Sequence, residues 1–174
     1  MVEHELGNLK LTGYYPGVIG KVTELHAIYY FENWGFDVSF ETQVARELSA
    51  FITQFDPHRD GFWAALMNNV FAGSIAIDGS LSDTEGARLR WFIVAPEFQG
   101  TGIGGVLLRR AVQFCRDAGY RNVFLWTFRG LDAARSLYER EGFRLSVEKP
   151  VHQWGREIIE EQFILDLSEH QSRI

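Results

Sequence analysis

The sequence predicts a mixed α/β (α+β) fold, a central sheet with helices on both faces, and three observations carry that expectation. Helical and strand periodicities interleave along the chain. The strand-like segments flanking the middle come as hairpins. No repeat, low-complexity tract or Pro/Gly/Ser linker divides the 174 residues, so a single domain over 1–174 is expected. With 46% hydrophobic and 23% charged positions the chain is too apolar for disorder. At this length about 70% of the unfolded surface is buried on folding, without a disulfide or metal staple.

The elements follow in order. A helix is predicted from Gly20 to Trp34, closed near Gly35. A second places Phe40, Val44, Leu48, Phe51, Ile52 and Phe55 on one face at helical spacing, and Asp56-Pro57 ends it. Phe62–Met67 and Val70–Ile77 read as strands joined by an Asn68-Asn69 turn. Leu89–Val94 is a strand, and a glycine-rich stretch, Gln99–Gly105, leads into a helix reaching Ala118. The expected buried face of that helix is Ile103, Leu107, Ala111, Phe114, Cys115 and Ala118, with Arg109, Gln113 and Arg116 toward water and Gly119 as the stop. Val123–Phe128 is a short apolar strand. Asp132 is the expected N-cap of a helix over Ala133–Glu141, stopped by Gly142. The tail alternates through Ile159, Glu161, Phe163, Leu165 and Leu167, and is expected to pair with Phe143–Val147 across a turn at Trp154-Gly155.

Charge narrows the function classes. The net charge of -6 argues against general nucleic-acid binding. It is unevenly spread: Arg88–Arg144 holds ten Arg against five Asp or Glu, an excess of +5. Residues 1–87 carry four Lys or Arg against twelve acids (-8), and residues 145–174 three against six (-3). The middle therefore suits an anionic ligand, while the flanks predict a cationic acceptor, a polyamine-like or lysine-like amine. The aromatics Tyr29, Tyr30, Phe31 and Trp34 favour an apolar amine instead. The acidic start and the lack of an apolar run near ~18 residues predict no membrane partner and a cytoplasmic location. Cys115, the single cysteine, has no internal disulfide partner and fits a reducing compartment. The five histidines show no metal-ligand spacing, so no metal is expected.

The segment with the most chemistry is Val94-Ala-Pro-Glu-Phe-Gln-Gly-Thr-Gly-Ile-Gly-Gly105, where a strand ends and, after a tight glycine turn, a helix begins at once. Unpartnered N–H groups at a helix start, with glycines at 100, 102 and 104 that let a ligand approach, make a pyrophosphate cradle. No Gly-Lys-Ser/Thr follows, which excludes a nucleotide-triphosphatase loop. Gly100, Gly102 and Gly105 match a dinucleotide fingerprint, but Val123–Phe128 carries no acidic residue for a ribose.

Together with Leu137-Tyr-Glu-Arg-Glu-Gly-Phe143, the run Gln99-Gly-Thr-Gly-Ile-Gly104 resembles the GNAT superfamily of N-acetyltransferases, through its signatures Arg/Gln-x-x-Gly-x-Gly/Ala and Leu-Tyr-x-x-x-Gly-Phe. His26-Ala-Ile-Tyr-Tyr30 and Trp126-Thr-Phe128 are similar to the acetyltransferase half of fusions with winged-helix regulators, although no winged helix is present. The resemblance implies a mostly antiparallel sheet and acetyl-coenzyme A as co-substrate. Backbone groups of Phe92, Ile93 and Val94 would hold pantetheine. Amides of Gln99, Gly100, Thr101, Gly102, Ile103, Gly104 and Gly105 would hold the pyrophosphate. A primary amine of a small molecule or peptide would attack the thioester directly, and Tyr138 would protonate the leaving thiolate. Leu131 stands where many members carry a cofactor-contacting Asn. Glu32, Glu41 and His26 are candidates for the base. A homodimer fits the family, and a non-enzymatic acyl-coenzyme A sensor or protein-binding module is the alternative function.

Overall fold

The computed structural model describes residues 7–168. Its chain runs β1 (Leu9–Thr12), α1 (Val18–Trp34), α2 (Val38–Thr53), β2 (Gly61–Met67), β3 (Val70–Asp78) and β4 (Ala87–Val94). It continues through a 3₁₀ turn (Pro96–Phe98), α3 (Ile103–Asp117), β5 (Asn122–Phe128), α4 (Asp132–Glu141), β6 (Arg144–Gln153) and β7 (Arg156–Asp166). The seven strands form one sheet in the order β1-β2-β3-β4-β5-β7-β6. Only β4 and β5 are parallel; every other pair is antiparallel. The mixed, mostly antiparallel sheet is the expected one.

The helices divide between the two faces because each face has its own apolar set. One core gathers Ile103, Leu107, Leu108, Ala111 and Cys115 of α3 with Tyr138 of α4 against Ile75, Leu89, Leu125 and Phe163. The other gathers Val18 and Val22 of α1 with Phe40, Val44, Leu48 and Phe51 of α2 against Phe62, Trp91 and Phe128. The terminators act as read: Gly35, Gly119 and Gly142 all sit at positive φ. The Asn68-Asn69 turn has both residues left-handed, with φ of 51° and 64°, as a two-residue hairpin of mirror-image type requires.

Four local expectations need correction. β1 has no counterpart in the sequence reading; four residues are too few to show alternation, and pairing with β2 creates the strand. Asp132 is not the cap of α4 but its first residue; Leu131 occupies the cap position, with no side-chain bond, and Asp132 instead places a negative charge in the first turn. On α3, Ala118 is exposed just past the helix end, whereas Leu108 and Val112 complete the buried face. Arg116 is half-buried rather than solvent-facing.

A break in β4 positions the site. Between Ser74 and Ala76 the β3–β4 register slips, and Trp91 adopts a positive φ of 46°, a conformation uncommon for a bulky residue. The Ser74 hydroxyl donates to the Trp91 carbonyl at 2.8 Å and supports the bulge. Leu89 joins the core beneath α3, while Trp91, two residues on, joins the core beneath α1 and α2. Phe92 and Val94 then pack back toward α3.

Candidate active site

β4 and β5 hold together only at Ala87↔Val123 and Arg88↔Phe124. Beyond that pair the strands part, and the β5-facing edge of Phe92–Val94 has no strand beside it. The opposite edge remains paired to β3 at Ser74↔Ile93 and Gly73↔Val94. The gap opens into a continuous cleft of about 1200 Å³ that runs from the start of α3, past α4, to the surface beneath α1 and α2.

The floor of one end is the glycine turn. Gly100 and Gly102 have φ of 77° and 92°, which an L side chain adopts only with strain. The amides of Gly100, Thr101 and Gly102 have no partner among the described residues. Those of Ile103, Gly104 and Gly105 are first-turn groups left open by the helix. No acidic residue lies in that turn to oppose an anion. A Cβ on Gly104 would sit 3.0 Å from Leu137 Cδ1 and 3.6 Å from Phe92 Cζ, so the walls already touch the glycine. The turn itself is held by Gln99, whose side-chain amide donates to the Val94 carbonyl at 3.2 Å and whose N–H is used on Pro96. Thr101 does not line the cleft, and its hydroxyl turns back to the Phe98 carbonyl at 2.5 Å. Thr101 thus shapes the cradle from behind, while Gln99, the glycines and Ile103 face it. An extended diphosphate fits this floor: open amides, a helix start and no competing carboxylate.

Tyr138 projects from α4 into the middle of the cleft, 5% exposed, its ring 5.8 Å from Phe92 and from Phe143 and 6.0 Å from Phe163. Burial, and secondarily the Tyr30 hydroxyl, push its pKa well above the ordinary phenol value, so it stays a proton donor at neutral pH. The same burial raises Tyr30.

The other end of the cleft is roofed by α1, α2 and the β6–β7 turn. Asp37 N–H donates to the Trp154 carbonyl at 3.0 Å, and Trp154 Nε1 donates to Gln43 Oε1 at 2.9 Å. Arg156 donates to the Trp34 carbonyl. Tyr29, Tyr30, Trp34, Phe40, Phe128 and Trp154 make the wall apolar and aromatic. Phe31, by contrast, is exposed and outside the cleft.

Of the three candidate bases, Glu32 and Glu41 lie exposed and outside the cleft, and His26 lines it. His26 Nδ1 is 2.8 Å from the Val22 carbonyl. A carbonyl only accepts, so Nδ1 carries the hydrogen and Nε2 presents a lone pair. Burial lowers the imidazole pKa to about 4, against the weaker pull of the Val22 bond, and the ring is neutral. Cys115 is buried on α3 with its thiol pushed up to about 12 by desolvation, far from nucleophilic use.

Sequence reading missed the charged part of the cleft: Glu47, Arg88, Arg90 and Glu160 all line it. A signal was present. Arg88 and Arg90, two residues apart in an otherwise apolar strand, must share a face, and a central strand places that face inside the protein. Among the described residues no cluster of three His, Cys, Asp or Glu could hold a metal, and no helix is long and apolar enough to cross a membrane.

A parted parallel strand pair, a glycine cradle at a helix start and a buried tyrosine on the next helix are the arrangement that the resemblance to the GNAT superfamily implies. Comparison with known proteins agrees. Residues 21–143 match the model of the acetyltransferase (GNAT) family, and the chain belongs to that family. It is 32% identical over 88 residues to an uncharacterized N-acetyltransferase of Methanocaldococcus jannaschii, covering 48% of this chain and 39% of that one. It is 31% identical over 98 residues to human N-acetyltransferase 8B, covering 55% and 43%. The chain thus spans about two fifths of the length of these curated relatives. Among solved structures, yncA of Salmonella typhimurium, determined with its cofactor acetyl-CoA, superposes with a TM-score of 0.71 at 17% identity over 96% of this chain and 98% of that one, a likeness of fold.

Proposed function

We propose that this chain is an N-acetyltransferase that moves the acetyl group of acetyl-coenzyme A to an amine by direct attack in a ternary complex. The observation that carries the reading is the meeting, in one cleft, of the unpaired Phe92–Val94 edge, the open amides of the α3 start and Tyr138. The amides of Gly100 and Gly102–Gly105 bind the pyrophosphate. The free edge of Phe92, Ile93 and Val94 pairs with the amides of the pantetheine arm as a strand would, and a backbone N–H there polarises the thioester carbonyl.

The amine nitrogen forms a bond to the thioester carbon, the C–S bond breaks, and the Tyr138 hydroxyl gives its proton to the departing sulfur. The proton lost from the amine returns to the phenolate through solvent. A tyrosine with a raised pKa serves here because the thiolate is desolvated in the same cleft and its own basicity rises with it. His26, neutral and with its tautomer fixed by Val22, accepts an N–H of the incoming amine and holds its lone pair toward the carbonyl. Cys115 takes no part, so no acyl-enzyme forms.

Calorimetric titration with acetyl-coenzyme A, followed by a free-thiol assay over small amines and peptide amines, tests the proposal. Tight binding with amine-dependent thiol release supports it. Tight binding with no thiol release for any amine would instead make the chain an acyl-coenzyme A sensor, and absence of binding would remove the cradle assignment.

A further inference from the structure

Arg88 lines the acceptor end of the cleft, yet among the described residues its guanidinium makes no hydrogen bond and no ion pair, and its Nε is fully buried without a partner. Arg88 is half-buried, and a guanidinium nitrogen withdrawn from water without a hydrogen bond is left uncompensated at a cost. The strand dictates the placement. Arg88 stands opposite Asp78 of β3 and Phe124 of β5 and shares the α1/α2 face with Arg90.

The charges around it are already engaged. Glu47 is bound by Arg90, and Asp78 meets Arg90 at 3.5 Å and accepts from the Ser80 N–H at 3.0 Å. Glu160 meets Lys149 at 3.7 Å. Arg90 also stacks over the Trp91 ring at 4.1 Å, so its guanidinium is engaged by Glu47, Asp78 and the indole together. Burial and the neighbouring Arg90 lower the Arg88 pKa, against Glu47, Asp78 and Glu160, which is the signature of a cation short of compensation. Of the charged residues that line the cleft, Arg88, Arg90 and Arg140 balance Glu47, Asp132 and Glu160, so the cleft is neutral with the Arg88 donors left open.

From this arrangement we infer that Arg88 is an acceptor subsite for a carboxylate, and that the acceptor is a zwitterionic amine-carboxylate with an apolar or aromatic body, the class of hydrophobic amino acids and short peptides. The inference rests on the acetyltransferase reading and names the substrate class of that site. A guanidinium binds a carboxylate through two parallel N–H···O bonds. A neutral groove takes a ligand of zero net charge, whereas a polyamine would bring charge that Arg88 repels and a phosphosugar a dianion facing three carboxylates. The Trp34, Phe40, Phe128 and Trp154 walls supply the apolar contact.

The test has a kinetic and a binding arm. Phenylalanine, a six-carbon ω-amino acid and a Gly-Phe dipeptide are compared, by thiol release, with phenylethylamine and phenylalanine methyl ester. The same pairs are titrated calorimetrically into the coenzyme A-bound protein. The wild-type chain is expected to favour phenylalanine over its carboxylate-free counterparts, phenylethylamine and the methyl ester, by ~10-fold or more in kcat/KM. Arg88→Gln should erase that preference through KM, Arg88→Lys should restore part of it, and both should keep wild-type affinity for acetyl-coenzyme A as evidence of folding. Equal use of the ester and the free acid, or a preference that survives Arg88→Gln, overturns the inference and leaves acetyl transfer standing. If no member is acetylated, the binding arm decides alone: carboxylate-dependent binding lost in Arg88→Gln upholds the subsite even as the enzymatic reading fails, and binding indifferent to the carboxylate removes it.

Discussion

His26 offers a test of the acceptor wall that needs no substrate. The ring is 5% exposed, its Nδ1–H is tied to the Val22 carbonyl, and its pKa falls from 6.5 to about 4 on folding. In the unfolded chain the imidazole takes up its proton near pH 6.5; in the folded protein it does so only near pH 4. Between those values the unfolded state binds more protons, so stability rises with pH across the window and is lost on acidification. Evaluated from the two pKa values, this one group removes about 2 kcal/mol between pH 7 and pH 5. His26→Asn keeps a donor near the position of Nδ1 and cannot titrate. Urea unfolding at pH 7 and pH 5 should therefore show the wild type losing about 2 kcal/mol more than the variant, with equal m-values. Because every carboxylate is common to both proteins, the difference isolates His26. Parallel losses in the two proteins would show a charged or solvated ring at neutral pH, and with it would fall the neutral hydrogen-bond acceptor assigned to Nε2.

Three further outcomes follow from the site. Gly104→Val places a branched side chain 3.0 Å from Leu137 Cδ1 at the cradle floor, and should weaken acetyl-coenzyme A binding by ~10-fold or more in a calorimetric titration while the folded circular dichroism signal persists. Tyr138→Phe keeps the ring among Phe92, Phe143 and Phe163 and removes the proton; kcat should fall by ~10²-fold with cofactor affinity retained, and an unchanged kcat would transfer the proton step to water. Cys115, with its thiol pushed up to about 12 and no exposed surface, should react with a disulfide reagent only as fast as the chain unfolds; labelling of the native protein within seconds would contradict its placement.

The sequence shows what is local. Glycine stops, the Asn68-Asn69 turn and the α3 start are each decided within a few residues, because left-handed backbone and open amides are properties of one turn. So is the pairing of the cradle with Tyr138, whose spacing is fixed by one strand and two helices. Elements decided at a distance are the ones the sequence hides. β1 exists only because β2 pairs with it. The Trp91 bulge depends on a register slip against β3 and a bond from Ser74, 17 residues away, and no local pattern marks a tryptophan for a positive φ. The acceptor wall is assembled from α1, α2, β4, β5 and the β6–β7 turn, and periodicity in any one of them says only which face is buried. The strand reading over Leu89–Val94 gives no weight to Arg88 and Arg90, whose shared face lines the cleft.

Net charge is the clearest case of a whole-chain quantity that does not descend to the pocket. The segments outside Arg88–Arg144 carry -8 and -3, and on that arithmetic a cationic acceptor is steered inward. Steering acts through the outer surface and fades over a Debye length of about 8 Å at physiological salt. Selection inside the groove is made by the groups that touch the ligand, and there Glu47 is held by Arg90 and Glu160 by Lys149. A carboxylate already bonded to a cation has little field left for a second one. What remains unspent is the Arg88 guanidinium, which attracts the opposite sign from the one the flanking segments predict. An amine-carboxylate reconciles the two levels: its ammonium is drawn to the acidic exterior, and its carboxylate is held once inside. The acidic surface then governs how fast the acceptor arrives, and Arg88 governs which acceptor stays.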